Sequence, residues 1–351
     1  MQQPLIIMDC ERMRYPNTGL YHFCLHLSKA MLQQPSNYRM GLYLPECAKE
    51  HFHATTPTLK HQSWHKFYMP FINDFDIWHT TYQSTNYFPA TSKAKIVLTV
   101  HDLNVLHEQK PAAKKKRFLR SLQRKLERAD AITVISEYVK QDLLKHTHIS
   151  RKKIHVIHNG CTIDATLQLS LPPLLPTAPF FFTIGTIIDK KNFHVLPGLL
   201  VNNDYQLVIA GIVQSENYKE KILQEAKRLG VEDRLIFTGG IQESEKYWYM
   251  QNCAAFAFPS LSEGFGLPVI EAMYFGKTVL LSRATCLPEI GGPHAYYFDN
   301  FEPAHMTQLA FGSMNDVQVN NKSKVISQWA KRFSWYEAAK AYSKIYEDLL
   351  K

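Results

Sequence analysis

Short apolar runs alternate with helical stretches through the first half of the chain: Leu5 to Met8, Met40 to Leu44, Ile77 to His79, Ile96 to Val100, Ala131 to Ile135 and Ile154 to Ile157. Such runs, separated by helices, predict the buried strands of a parallel sheet. Gly19 to Leu32 carries Leu20, Phe23, Leu27 and Met31 at helical spacing, and Ser136 stands before Glu137 to Leu144 as an N-cap. After Asn159-Gly160 the pattern loosens into Leu167 to Pro179, where Pro172, Pro173, Pro176 and Pro179 oppose a continuous helix or central strand. This is the expected linker. The alternation restarts with Phe180 to Ile184, Tyr205 to Ala210, Leu235 to Thr238, Ala254 to Phe258, Thr278 to Leu281 and Tyr296 to Phe298, and Trp335 to Leu350 reads as an amphipathic helix. Two doubly wound α/β domains follow, 1–168 and 169–332, with a closing helix in 333–351. Sheets of this kind take ligands beyond the carboxyl ends of their strands.

Length agrees, since 351 residues exceed what one core usually holds and two domains of about 150 residues are expected. No apolar run approaches the roughly 18 residues of a membrane-spanning helix, and Pro4 to Met8 lacks the basic flank of a signal peptide. A soluble protein is expected. Its six scattered cysteines contain no C-x-x-C, against both a zinc site and a disulfide framework, so a reducing cytosol fits.

Much of the net charge of +9 lies in Lys110 to Arg128. Phe118, Leu119, Leu122 and Leu126 recur at helical spacing while Lys114, Lys115, Lys116, Arg117, Arg120, Arg124, Lys125 and Arg128 crowd the rest. Nucleic acid would want a recognisable module or aromatic platform nearby, and none is visible. Two readings stay open: contact with an anionic membrane surface, worth about 1 kcal/mol per well-placed cation, or a solvated face with the leucines in the core.

The densest chemistry lies in Phe258 to Leu281, FPSLSEGFGLPVIEAMYFGKTVLL. Glu263 and Glu271, separated by seven residues, flank a glycine-rich turn that opens a helix, with Pro268 suited to its first position. A helix N-terminus offers unpaired amides and partial positive charge to an anion, and Gly264 and Gly266 permit close approach. Glu271, one turn in, has two oxygens for two vicinal hydroxyls. On spacing alone the simpler reading is preferred, a capped helix with Glu263 paired to a surface lysine and Glu271 facing the helix dipole. A second turn, Gly185-Thr186-Ile187-Ile188-Asp189-Lys190-Lys191-Asn192, follows a strand, with two lysines and Asn192 placed to cap the next helix. His101 closes the strand Lys95 to Val100. Asp74-Phe75-Asp76 spells a D-x-D of the kind that holds Mg²⁺ or Mn²⁺ in another fold, but it is short and reads as a turn.

The E-x7-E block with its EAM..G..V continuation resembles the signature of retaining glycosyltransferases of family 4, which have the GT-B fold: two Rossmann-like doubly wound domains facing a central cleft. The likeness continues through HDL, ITVISEYVKQDL, VIHNG, GTIIDKKN, FTGG and LPEIGG, nearly the whole chain. It implies that Glu263 meets the transferred sugar, that Glu271 meets the nucleotide ribose, and that Gly264, Phe265, Gly266 and Leu267 line the donor. Lys191, in a turn similar to the family's G-x5-K-N, would grip the donor phosphates, where charge stabilisation lowers a barrier by several kcal/mol. Many relatives carry Arg where Thr186 stands, so part of that grip would pass to Lys190. His101 matches the family's strand-end histidine, which positions and polarises the sugar with a near-neutral imidazole. Gly19 resembles the glycine turn approaching the diphosphate, although GLYHF departs from GIGRY, and Ile241 would meet the base.

The resemblance implies transfer of a sugar from a nucleoside diphosphate to an acceptor hydroxyl, with no enzymic nucleophile, no cofactor and no metal. The GT...KKN turn leans toward mannose from GDP-mannose, and the acceptor would be a growing bacterial surface glycan, free or lipid-linked. Cytoplasmic location follows, peripheral on the membrane if the basic helix meets it. The terminal helix commonly crosses back onto the first domain in GT-B enzymes. Two rivals share these features, a GT-B sugar-nucleotide 2-epimerase and a non-catalytic sugar-nucleotide-binding module.

Overall fold

The computed structural model describes residues 3–16, 18–149, 153–161, 163 and 168–351. The chain divides into two compact units, Met1–Thr162 with Ser334–Lys351, and Ile163–Phe333. The division precedes the expected 168/169 boundary for a physical reason. Leu167 lies outside the described residues, but 168–179, without helix or strand, is pinned to the second unit: Thr177 N donates to Gln206 Oε1 at 2.7 Å and Tyr249 Oη to the Leu174 carbonyl at 2.5 Å.

Unit 1 is a seven-stranded parallel sheet, β1 (Leu5–Asp9), β2 (Arg39–Leu44), β3 (Thr58–Lys60), β4 (Ile77–Thr80), β5 (Lys95–Val100), β6 (Ala131–Val134) and β7 (Ile154–Val156), in the order β3-β2-β1-β4-β5-β6-β7. Only β3 escapes the apolar pattern, because Thr58-Leu59-Lys60 is a three-residue edge strand with both ends exposed. The other strands, nearly all buried on both faces, lie within one residue of the expected runs. Around them run α1 (Gly19–Leu32), α2 (Asn104–His107), α3 (Ala112–Arg128) and α4 (Glu137–His146). Thr18 caps α1 and Ser136 caps α4, each side-chain oxygen accepting the backbone N–H of the third helical residue, Tyr21 and Val139.

The terminal helix Trp335–Leu350 belongs to this unit and packs on α1. It is joined to the sheet by a polar network in an apolar setting. His79 on β4 bonds Tyr346 Oη through Nδ1 and Thr99 Oγ1 through Nε2, both at 2.7 Å, while Tyr342 Oη lies 3.2 Å from Thr99 Oγ1. Burial pushes the His79 pKa down to about 3, so its ring is neutral, one nitrogen donating and the other accepting.

The basic segment forms α3, with Leu122 and Leu126 buried. Its cations do not act as one face. Lys115, Lys125 and Arg128 turn to backbone carbonyls: Lys125 Nζ reaches Gln83 and Thr85 at 2.9 and 2.5 Å, and Arg128 reaches Ser92 and Ala94 at 2.7 and 2.8 Å. Lys114, Lys116, Arg117, Arg120 and Arg124 are exposed. Asp76 of the D-x-D accepts from Leu5 N at 2.7 Å in a turn before β4, which agrees with the reading as a turn.

Unit 2 repeats the wiring: β8 (Phe180–Ile184), β9 (Gln206–Ala210), β10 (Leu235–Gly239), β11 (Ala255–Phe258), β12 (Thr278–Ser282) and β13 (Tyr296–Phe298), parallel, in the order β10-β9-β8-β11-β12-β13. Its helices are α5 (Glu216–Arg228), α6 (Glu243–Asn252), α7 (Leu267–Tyr274), α8 (Leu287–Gly291), α9 (Pro303–Val319) and α10 (Ser323–Ala330). One face packs Phe181, Phe193, Leu196 and Ile209 with Tyr218 and Ile222 of α5. Each such side chain contributes about 1.5–3 kcal/mol by leaving water. The order reverses between β8 and β11, the topological switch point at which open α/β sheets form their binding crevice.

Candidate donor site

Three neighbouring strands of unit 2 run into glycine, Gly185 after β8, Gly211 after β9 and Gly239 closing β10, and the first of these ends is built by close backbone contact. Gly211 N donates to the Gly239 carbonyl at 2.7 Å and Gly185 N to the Ala210 carbonyl at 3.0 Å. A Cβ on Gly211 would fall 1.9 Å from the Gly185 carbonyl oxygen, and φ is +138° there, so only glycine serves. The chain then makes a 3-10 turn, Asp189–Lys191, and Asn192 follows at φ 57°. Here an expectation fails. Asn192 makes no side-chain cap, and the next element, Phe193–Leu200, is 3-10 rather than α; Asn192 is itself left-handed and buried, and Pro197 removes a donor from the segment.

Across the switch point, β11 ends in the loop that carries Glu263. Leu261 N donates to the Lys190 carbonyl at 2.8 Å, joining the two turns. Lys191 runs back over Gly185, passes with Nζ 4.8 Å from the centre of the Phe258 ring, and meets Glu263 Oε1 at 2.5 Å. Ser260 Oγ lies 2.6 Å from the same oxygen. The two residues whose resemblance-derived roles were separate, phosphate grip and sugar contact, are therefore bonded to one another, each about one-seventh exposed (14% and 15%).

The loop has a further support that sequence reasoning missed. Thr285 Oγ1 accepts from Glu263 N at 3.2 Å, and Cys286 Sγ lies 3.1 Å from the Phe265 carbonyl. Thr285 sits at φ 53°, a region β-branched residues avoid at a penalty of about 1–3 kcal/mol. Gly266 precedes α7 at φ 105°, and a Cβ there would meet Leu287 Cδ2 at 3.2 Å. Pro268 stands in the first turn, so its missing N–H leaves no bond unmade.

Glu271, one turn into α7, is paired. Its Oε1 meets Lys246 Nζ of α6 at 2.8 Å, both side chains being 15% exposed. Lys246 was not anticipated, since nothing in the YWYM context of α6 marks one lysine as special. Ile241 follows β10 and precedes α6, whose Gln242 and Glu245 form a reciprocal cap. Beside it, the exposed Ile212 lies 3.6 Å from where a Gly240 Cβ would stand. Thr186 is exposed at the start of the first turn. A separate concavity lined by Tyr205, Ala254, Lys277 and Thr278 lies at the opposite strand ends and meets none of these motifs.

His101 and Gly19 belong to unit 1. Gly19 opens α1 in an exposed position, where among the described residues no other segment would crowd a Cβ. His101 Nε2 bonds the Thr81 carbonyl at 2.8 Å, and its ring edge meets Phe23 of α1 with centroids 4.5 Å apart. The near-neutral imidazole expected here is corrected: burial pushes the pKa down to about 4. The ring is neutral, Nε2–H donates to Thr81 and Nδ1 is left as the acceptor. Sequence reasoning also missed Asp9 and Glu11 at the end of β1, both buried; burial raises the Asp9 pKa to about 8.

Two family models match in succession, "Glycosyltransferase Family 4" over residues 43–165 and "Glycosyl transferases group 1" over 172–308. The chain belongs to this glycosyltransferase family. It is 31% identical over 236 residues to the serotype-specific mannosyltransferase WbdA of Escherichia coli, covering 61% of this chain and 28% of that protein. It thus spans just over a quarter of the length of that relative. The O-antigen chain mannosyltransferase B of Escherichia coli is 24% identical over 275 residues, 72% of this chain and 70% of that one. Among solved structures, a Rickettsia africae glycosyltransferase matches with TM-score 0.73 at 18% identity over 100% of both chains. Anabaena HepE in complex with UDP and glucose matches with TM-score 0.73 at 16% identity, over 98% of this chain and 100% of that one. The fold is GT-B.

Proposed function

We propose that this protein is a retaining hexosyltransferase that moves mannose from GDP-mannose to a hydroxyl of a growing surface glycan. The observation that carries the reading is the Lys191–Glu263 pair at the β8/β11 switch point. A donor diphosphate there finds Lys191 and Lys190 at one turn and the N-terminus of α7 at the other. As phosphate takes the lysine, Glu263 is released to orient the sugar. The bond from the anomeric carbon to the phosphate breaks, the acceptor oxygen bonds on the same face, and its proton passes to the departing phosphate. Glu271, oriented by Lys246, receives the ribose hydroxyls, and Ile241 with Ile212 forms an apolar shelf for the base.

Two relatives named as mannosyltransferases support the choice of sugar. On unit 1 a groove of 580 Å³ is lined by Lys114 and Arg117 together with Val105, Phe118 and Leu122, a chemistry suited to a lipid-linked, phosphorylated acceptor. Lys114, Lys116 and Arg117 crowd the first turns of α3, where cations oppose the helix dipole by about 0.3–1 kcal/mol each. An anionic membrane surface would offset that penalty, which favours a cytoplasmic protein held peripherally. Among the described residues no helix is long and apolar enough to cross a membrane. The transfer chemistry calls for no cofactor, no metal and no nucleic acid.

The test is thermal shift with GDP-, UDP- and ADP-sugars, followed by turnover with lipid-linked glycan from membranes. Stabilisation by GDP-mannose and release of GDP that requires acceptor are expected. No stabilisation by any nucleotide sugar defeats the donor site; epimerised nucleotide sugar without acceptor, or binding without turnover, assigns one of the two rivals.

A further inference from the structure

On unit 1, apart from the residues of the candidate donor site, three metal-ligating side chains meet. His107 ends α2, while Asp142 and His146 stand four residues apart on α4 and so share one face. Asp142 is buried, 7% exposed, and both of its oxygens face imidazole: Oδ2 lies 2.7 Å from His107 Nε2 and Oδ1 lies 3.4 Å from His146 Nε2. The donor atoms of the three residues all lie within 4.8 Å of one another. Protein hydrogen bonding does not account for all of them. Apart from that 3.4 Å approach to Asp142, His146 Nε2 is buried and makes no hydrogen bond among the described residues, and a buried ring nitrogen without a hydrogen bond is expensive.

We propose that His107, Asp142 and His146 form a binding site for a divalent transition-metal ion of the zinc class. Two imidazole nitrogens with one carboxylate suit zinc, copper or nickel rather than magnesium or calcium, which prefer oxygen. Bonds of about 2.0–2.1 Å in tetrahedral geometry set ligand atoms about 3.3 Å apart. The Asp142–His146 separation already has that value, and the His107–Asp142 pair has only to part slightly as the ion replaces the proton between them. His107 is 36% exposed, so ions reach the site from solvent. The ion ties α2 to α4 and thereby fixes the short segment between His101 and α2. Its role is structural, and the transfer reaction proposed above proceeds without it.

The experiment uses full-length, tag-free protein stripped with chelator. Zinc is added while metal content and melting temperature are measured, and cobalt is substituted to read its visible absorption. One equivalent of zinc, a rise in melting temperature and a tetrahedral cobalt spectrum are expected. His107→Gln and His146→Gln should each weaken binding by about tenfold or more, the scale on which even supporting groups of a metal site act. Because Asp142 is buried and its replacement is able to disturb folding, the two histidine variants carry the decision. Absence of stoichiometric zinc in the wild type, or binding that both variants leave unchanged, overturns the site. The transfer assay with GDP-mannose reads the other proposal separately, since chelated protein retains every donor-site residue.

Discussion

The same strand order, built twice, produces two electrostatically opposite switch points. In unit 2 the residues that gather where β8 meets β11 are an ion pair about one-seventh exposed, Lys191 with Glu263, supported by Ser260 and Thr285. In unit 1, where β1 meets β4, burial pushes groups toward their neutral forms. Asp9 is raised to about 8, Lys125 beside it is lowered to about 8, and His101 falls to about 4. The same topology thus gathers polar groups twice, and deeper burial in unit 1 pushes them toward their neutral forms. An ion pair that solvent still reaches suits exchange with an anionic ligand, whereas a buried imidazole suits positioning.

The sharpest way to break this contrast is to remove charge from unit 2. Glu263→Gln or Lys191→Ala should lower the transfer rate by about 10²–10³, the usual scale for losing one stabilising group at a site of developing charge, with far-UV circular dichroism unchanged. A rate within threefold of wild type would mean that the pair is structural.

Acid should act on the other switch point. With its folded pKa near 4, below the unfolded value of about 6.5, His101 binds fewer protons folded than unfolded in that window. Its contribution is complete above pH 6.5 and is lost as pH falls toward 4, by about 3 kcal/mol. Urea midpoints measured at both pH values should show a smaller loss in His101→Asn. The rate profile should contain no step near 6.5 that this substitution abolishes.

Next in size is Tyr346→Phe, which leaves His79 Nδ1 without its partner and should destabilise unit 1 by about 1–3 kcal/mol, read as a lowered melting temperature with donor binding intact. Smallest is Lys246→Met. It frees Glu271 from its ion pair and should change donor affinity by about 1 kcal/mol or less, measured by titration with GDP, while the maximal rate holds. A large rate effect would move Lys246 into the reacting site.

The strands other than β3 were legible because buried parallel strands are written as apolar runs, and even Trp335–Leu350 was readable to the residue from its periodicity. The Lys191–Glu263 bond was not. The partners are 72 positions apart, and only the strand order, which no local pattern encodes, sets β8 beside β11. Lys246 escaped for the same reason. His101 was visible as a strand-end residue, but the packing of Phe23 against it, which excludes water, was not. Asn192 misled because a polar residue before a helical stretch looks the same whether it caps through its side chain or simply turns the chain.

The terminal helix has a consequence for the order in which the protein matures on the ribosome. Unit 2 is one continuous segment, Ile163–Phe333, whereas unit 1 closes only with Ser334–Lys351. Synthesis therefore delivers every residue of the later unit before the earlier one is complete. His79 waits 267 residues for Tyr346. Until then His79, Thr99 and Thr133 on β4–β6 lack the tyrosines that complete their hydrogen bonds, and an incompletely packed intermediate of this kind recruits chaperones. A nascent chain stalled before residue 334 should leave those bonds incomplete; emergence of Ser334–Lys351 should complete them.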